Sequence, residues 1–524
     1  MISRRRMLSN TAIATAVATT AGLGAATPRA TSATPFNHGV ASGDPLHDRV
    51  ILWTRITPAA SDNSIPVHWV IADDEALSRV VNGGEVQAQP WRDHCVKVDA
   101  TGLDAGRTWY FQFECNGVKS PIGRTKTLPA GDIDAVKFAV ASCSNYPFGY
   151  FNAYACIARR DDLDAVLHLG DYLYEYAPGE YGQGKEFGRE HQPAREIVSL
   201  DDYRERHAQY KSDPDLQEAH RRHPWITVWD DHESTNNSWK DGAQNHNPDK
   251  GEGNWLDRRK SAERAYFEWM PIREQLGSRG SWTYRSFRYG NLCDLIMLDT
   301  RLHGRSEQIS DRKDKAAIAA AGRSLLGADQ KAWLLDELSA SKQAGTRWRV
   351  LGQQCMFGQL PDAEGHVLNT DQWDGYPHDR QAVLDQLSSE GIRNTVILTG
   401  DIHTAWAMDI TPNPFDPKAY DPKTGSGSLA VELVTTAVTS PAPFGTGEEA
   451  QKRERDTVAA LPHLHWADFE SRGYLTAKIT PDQTHAEWWS VSTIAERSTE
   501  EILVNSMRTL DGRNHLEPGL QGKA

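Results

Sequence analysis

Three apolar runs stop abruptly at ionisable groups, and this repeated ending constrains the fold more than any other feature of the chain. Trp225-Ile-Thr-Val-Trp-Asp-Asp-His-Glu233 ends in three carboxylates and an imidazole. Asp164-Ala-Val-Leu-His-Leu-Gly-Asp171 runs into Tyr172-Leu-Tyr174, and Asn394-Thr-Val-Ile-Leu-Thr-Gly-Asp401 runs into Ile402-His403. Short β-branched runs of this kind read as buried strands, and open α/β sheets place their ligands at the C-terminal strand ends. Three strands that deliver Asp and His to one rim are the signature of a metal site.

The rest of the 524 residues arranges itself around that rim. Residues 34–130 read as all-β, with short runs such as Arg49–Arg55, Val67–Ile71 and Trp109–Phe113 separated by Gly, Pro and Asp clusters. Thr101–Tyr110 followed by Gly123–Pro129 resembles the closing half of a fibronectin III/Ig-like β-sandwich. From 131 to 496 apolar strands alternate with amphipathic segments, which predicts an α/β fold in the form of a layered sandwich. Helices are expected over Phe151–Arg160, Asp201–His220 and Ala328–Ser341, and Glu175–Ser199 reads as a Gly-rich functional loop. Residues 497–524 read as one short helix and a polar tail.

Charge and cysteine usage narrow the function classes. The first 33 residues hold Arg4, Arg5, Arg6 and Arg29 and no acid. Ser3-Arg-Arg-Arg-Met-Leu8, the Ala/Thr-rich stretch after it and the small residues near Thr31-Ser-Ala33 read as a twin-arginine export signal over 1–33. Such a chain meets the twin-arginine translocation machinery and ends periplasmic or secreted. Without the signal, 53 basic residues face 71 acidic ones, a charge of −18. That balance argues against a nucleic-acid or anionic-membrane surface and suits a protein that concentrates divalent cations. No later run has the length and apolarity of a transmembrane segment. Six cysteines without tight spacing make no disulfide framework, although Cys95 and Cys115, both in strand-like segments, are a candidate pair.

Taken in order, Ser142-Cys-Ser-Asn145, Gly170-Asp-Tyr-Leu-Tyr174, Trp229-Asp-Asp-His-Glu233, Leu298-Asp-Thr-Arg301 and Gly400-Asp-Ile-His403 resemble the PhoD-type alkaline phosphatases, within the calcineurin-like and purple-acid-phosphatase metallophosphoesterases. The resemblance runs from His38–Asp44 to Arg472–Tyr474. It implies that Asp171 and Tyr174 are metal ligands. A phenolate suits a hard, strongly Lewis-acidic ion such as Fe(3+), and a thiolate from Cys143 and the imidazole of His403 would complete that iron site. Asp231 is a ligand by the same resemblance, with Asp230 able to exchange roles with it, and either Asn236 or Asn237 adds an amide oxygen. Asp401 stands where many relatives have a nitrogen ligand, and this oxygen favours Ca(2+) over zinc.

His232 is the candidate catalytic group, protonating or stabilising the leaving oxygen, with Glu233 expected to orient it. Arg301 is a candidate for gripping phosphate with its fork, or equally for a structural salt bridge with Asp299 or a helix end. His463 and His465 are candidates for the rim. The implied chemistry is hydrolysis of phosphate mono- and diesters at alkaline pH by a water of lowered pKa, serving phosphate scavenging from small or polymeric esters. A phospholipase D-type phosphodiesterase is the alternative within the family, and a non-catalytic extracellular binding protein is the alternative class.

Overall fold

The computed structural model describes residues 34–59, 63–182, 184–277 and 280–519. Residues 1–33, expected to be an export signal, lie outside the described residues. Two large sheets share one apolar core. In the first, of ten strands, Val136–Ala141, Ala165–His168 and Pro224–Thr227 run parallel side by side. In the second, of seven strands, Cys293–Met297, Trp348–Gln353, Thr395–Thr399 and Ala430–Val434 run parallel.

Strand alternation sorts side chains between layers. Phe138, Val140 and Leu167 of the first sheet meet Leu295, Val350, Val396 and Leu398 of the second. Ala139, Ala141 and Val166 face the opposite way, onto helices that contribute Ile157, Tyr210, Ala219 and Tyr266. Ile296, Leu351 and Ile397 cover the outer face of the second sheet with Leu334, Leu338 and Leu384. Both faces of each central strand are buried, so these strands read as unbroken apolar runs rather than alternating ones.

The N-terminal strands do not form a free-standing body. Val40–Gly43 pairs parallel with Pro224–Thr227, placing Gly43 opposite Trp225 and extending the ten-stranded sheet through Arg49–Arg55 and Cys95–Thr101. Gly43 allows that approach, since a Cβ there would lie 2.3 Å from the Pro271 carbonyl oxygen and 2.5 Å from that of Trp225. Ile65–Ala72, Val80–Ala88, Thr108–Cys115, Val118–Lys119 and Gly123–Lys126 make a separate five-stranded sheet. Val50, Leu52, Val96 and Val98 share a core with Val67, Ile71, Trp109 and Phe113 across the two.

Three expectations change. Cys95 and Cys115 sit in strands of different sheets, and both are buried free thiols. The helix expected over Asp201–His220 is two helices, Leu200–Lys211 and Pro214–Arg222. Pro214 has no N–H to continue the first helix, and Asp213 caps the second by accepting the N–H groups of Asp215 and Leu216. The C-terminal segment is not a helix. Glu501–Leu510 is a strand along Gln483–Val491, followed by Leu516–Pro518. Its run Ile502-Leu503-Val504 suits a strand, and the available edge of the sheet decides the outcome.

Candidate metal centre

The sequence motifs converge at the C-terminal ends of strands from both sheets. Cys143 follows Val136–Ala141, Asp171 follows Ala165–His168, and Asp230, Asp231 and His232 follow Pro224–Thr227. Asp401 and His403 follow Thr395–Thr399 of the second sheet. Cys143, Asp171, Asn237, Asp401 and His403 all hold left-handed backbone, with φ of 60°, 55°, 51°, 65° and 61°. L-residues adopt this region rarely, and such strain collects at functional sites. Gly170, with φ of 105°, lets the Asp171 turn pass against Asp230, where a Cβ would meet the Asp230 Cβ at 2.4 Å.

The convergence produces three overlapping groups whose ligand atoms lie within 4.8 Å of one another. These are Cys143, Asp171 and His403; Asp171, Asp231 and His232; and Asp230, Asp231 and Asp401. Asp171 belongs to two groups and Asp231 to two, as bridging carboxylates would. Tyr174 adds its hydroxyl, 3.2 Å from Asp171 Oδ2, 3.2 Å from His403 Nε2 and 2.6 Å from Ser440 Oγ. His403 Nδ1 donates to the Pro441 carbonyl at 3.0 Å, which leaves Nε2 with its lone pair toward Cys143 and Asp171.

Electrostatics favour occupation by cations. Among the described residues, the buried atoms Asp171 Oδ1 and Asp230 Oδ2 have no hydrogen-bond partner. Burial pushes the Asp171 carboxyl well above its usual range, opposed by His232 and aided by Asp231. Burial also raises Asp230 and Asp401 against the pull of Arg301. The Cys143 thiol and the Tyr174 phenol are likewise pushed up by burial and then by Asp171. His403 falls to about 3, through burial, Arg472 and His232, and is therefore neutral. Bound cations would invert the preference of the acids and thiol, while a neutral imidazole is already in its ligating form.

His232 is held differently from the expectation. Its Nδ1 donates to Glu175 Oε2 at 2.7 Å, and its ring lies 4.3 Å from that of Tyr174 and 6.4 Å from the stacked ring of Tyr181. Although burial opposes it, Glu175, then Asp231 and Asp171, hold the His232 pKa well above the ordinary value. Glu233, expected to orient His232, instead accepts the backbone N–H groups of Asp171 at 3.1 Å, Tyr172 at 2.6 Å and Asp230 at 2.8 Å. It ties two of the ligand turns together.

Arg301, the candidate for phosphate or for a structural salt bridge, lies among carboxylates. Fully buried, it donates Nε to Asp230, Nη1 to both oxygens of Asp371 at 3.0 and 2.9 Å, and Nη2 to Asp401 at 3.0 Å. Its fork is engaged by three carboxylates. The backbone N–H of Asn237 donates to Asp231 Oδ2 at 2.6 Å, and that of Asn236 to Glu175 Oε1 at 2.7 Å. His463 and His465 are not at this rim: His463 Nε2 lies 3.0 Å from the Gln359 carbonyl oxygen and His465 faces Asp409.

Glu175, Ser440, Asp371 and Gln372 were not singled out by sequence. Gln372 donates to Asp401 Oδ2 at 2.6 Å. Glu175 carried one usable signal, its place beside Asp171-Tyr-Leu-Tyr174 at the start of the Gly-rich loop. Buried Arg206 fastens that loop through the carbonyls of Tyr174, Tyr176, Gln192 and Arg195.

The family model of the PhoD-like phosphatases matches residues 138–488, and that of the PhoD-like phosphatase N-terminal domain matches residues 22–129. The chain is 38% identical over 474 residues to alkaline phosphatase D of Bacillus subtilis (strain 168), covering 87% of this chain and 78% of that protein. A solved structure of PhoD superposes with a TM-score of 0.84 at 34% identity, covering 94% of each chain. Sequence and architecture agree over nearly the whole length, and the chain belongs to the PhoD-like phosphatase family.

Proposed function

We propose that this chain is an exported, metal-dependent phosphoesterase that hydrolyses phosphate mono- and diesters at alkaline pH, with Fe(3+) and Ca(2+) as its metals. The observation that carries the reading is the overlap of the three ligand groups at Asp171 and Asp231, with buried carboxylate oxygens left unpartnered. Cys143, Tyr174 and His403 offer one sulfur, one phenol oxygen and one nitrogen beside Asp171, a set suited to iron. Asp231 and Asp401, with Asp230 or an asparagine amide, offer only oxygen, a set suited to calcium. Asn237 is the better candidate amide, because its own N–H already binds Asp231.

Bound there, the metals would supply a water of lowered pKa and positive charge for the phosphoryl oxygens. The chain's own residues do the rest. His232, kept protonated by Glu175, hands a proton from Nε2 to the departing oxygen. Tyr174, Tyr176 and Tyr181 surround its ring and limit water around it. Arg301 bridges Asp230, Asp371 and Asp401 and offsets part of their buried charge. The N-terminal strands are read as a fibronectin III-like sandwich supporting a metallophosphoesterase core, and residues 1–33 as the twin-arginine signal. No helix among the described residues is long and apolar enough to cross a membrane.

The test is a visible absorption spectrum and metal analysis of the exported protein, together with hydrolysis of a chromogenic monoester and diester. A charge-transfer band with iron, calcium and esterase activity is expected. A colourless, iron-free but active enzyme would reassign Cys143 and Tyr174, and an inactive protein after metal reconstitution would overturn the reading.

A further inference from the structure

A second cluster of ligating groups lies away from the candidate metal centre. Asp409, His465 and His515 each present one ligand atom, all within 4.8 Å of one another. Asp409 sits in the strand Ala405–Ile410, four residues beyond Ala405. At about 3.3 Å per residue it is some 13 Å further along the strand from the end that His403 precedes. His465 comes from the neighbouring strand Leu464–Asp468, and His515 from the connection between Glu501–Leu510 and Leu516–Pro518. Three segments distant in sequence therefore bring two imidazoles to one carboxylate.

The geometry is built rather than incidental. Asp409 is fully buried, and Tyr420 hydroxyl donates to its Oδ2 at 2.8 Å while the Leu516 N–H donates to Oδ1 at 3.0 Å. His515 Nδ1 lies 2.6 Å from Oδ2. His465 Nε2 lies 3.2 Å from Oδ1 yet has no hydrogen bond of proper geometry among the described residues, and it is shielded from solvent. The two imidazole rings are 5.2 Å apart and steeply inclined at 73°, so they do not stack. Gly425 fixes the ring of His515 from behind: a Cβ at that position would stand 2.4 Å from the His515 Cγ. A carboxylate and two imidazoles, one nitrogen unsatisfied, are the donor set of a borderline divalent cation.

We propose that Asp409, His465 and His515 form a structural site for a divalent transition-metal ion of the zinc type, separate from the phosphoesterase centre. Tyr420, whose hydroxyl donates to Asp409, borders the site. The ion fastens the C-terminal hairpin of the ten-stranded sheet onto the edge of the seven-stranded sheet, adding to the Leu516–Asp409 hydrogen bond and to the bonds of Asn394 with Asp511, Gly512 and Asn514. Binding a cation in the folded state alone raises stability in proportion to its concentration over its dissociation constant.

The test uses the full-length holoenzyme with its catalytic metals loaded, dialysed against Zn²⁺ alone. Wild type should retain about one more zinc per chain than the His465→Ala/His515→Ala double variant. Saturating Zn²⁺ should raise the unfolding midpoint of wild type by several degrees and leave that of the variant unmoved, with phosphatase activity of both unaffected by the added ion. Equal zinc contents would overturn the proposal. Should the double variant fail to fold, zinc-edge X-ray absorption on the unmodified protein decides. A nitrogen and oxygen shell with two imidazoles is expected. A shell containing sulfur would place the zinc at Cys143, and a purely aqueous shell would mean no site, and either overturns the proposal.

Discussion

Glu175 Oε2 accepts the Nδ1 proton of His232 at 2.7 Å, while Oε1 accepts from Thr235 Oγ1 at 3.1 Å, the Asn236 N–H at 2.7 Å and the Asn245 amide at 3.2 Å. One buried carboxylate thus holds the charge and direction of His232 and is itself locked by three donors. This is an orienting pair, and it separates the roles of the two residues experimentally.

His232→Ala is expected to lower turnover by roughly 10²–10⁴-fold, the span of a positioned proton donor, with bound metal unchanged. Glu175→Gln should cost about 10–100-fold, the loss of a hydrogen bond to a charged group, again with metal retained. Steady-state kinetics beside metal analysis on each variant check this. Loss of metal in step with turnover would show that His232 acts as a ligand, and unchanged turnover in His232→Ala would remove it from the chemistry.

Much of this centre was legible because the apolar runs before Asp171, Asp231 and Asp401 are buried on both faces, so the change to ionisable residues marks the strand ends sharply. What was not legible came from residues without such a frame. Glu175 and Ser440 lie in irregular connections, where no periodicity reveals direction. Arg301 was visible as a cation near the site, but only the fold shows that Asp371, which no strand motif marks, occupies its Nη1. The C-terminal strand failed for another reason. Glu500-Glu501 before Ile502-Leu503-Val504 reads equally as a helix start, and pairing with Gln483–Val491 decides it.

Gly170→Ala tests the close turn at Asp171. The added Cβ meets Asp230 backbone and side chain at 2.4–2.6 Å in a left-handed conformation, so the turn must shift. A loss of roughly 1–3 kcal/mol is expected, with weakened metal binding. Gly179→Ala is the control: φ is 82° and nothing lies within 4 Å of the new Cβ, so only the backbone preference of about 1 kcal/mol is lost. Denaturant unfolding of the two variants, with metal titration, checks the contrast.

Arg301→Met should be harmful in a metal-dependent way. Removing the guanidinium leaves Asp230 and Asp401 in a buried site without that cation, while Asp371 keeps Arg305, a change that costs about 3–5 kcal/mol when a buried pair loses one partner. Cations replace part of the missing charge, so the loss should be larger in chelated protein than in protein refilled with calcium. Arg301→Lys should rescue little, because an ammonium cannot reach three carboxylates in one plane. Equal destabilisation with and without metal would show that the clamp and the cations do not share those carboxylates.

Lys211 gives the last prediction, and it concerns pH. Its ammonium is buried, donating to Tyr172 hydroxyl at 3.0 Å, 3.1 Å from His220 Nε2 and 4.7 Å above the Trp53 ring. Burial lowers its pKa to about 7 from an ordinary 10.5. Below pH 7 the amine is charged in both folded and unfolded chains, and the folded state bears the cost of a buried cation. Between pH 7 and 10.5 the unfolded chain holds a proton that the folded chain has released, so stability rises with pH, at most by about 1.4 kcal/mol per unit from this group. Above 10.5 the contribution is constant. Lys211→Met keeps an unbranched stem without the charge. It should therefore be stabilised over wild type at pH 6–7, and the difference should close as pH climbs toward 10. Urea unfolding midpoints across that range measure it. A difference that does not change with pH would mean that Lys211 stays charged in its pocket, balanced by the aromatic faces of Trp53 and Tyr172.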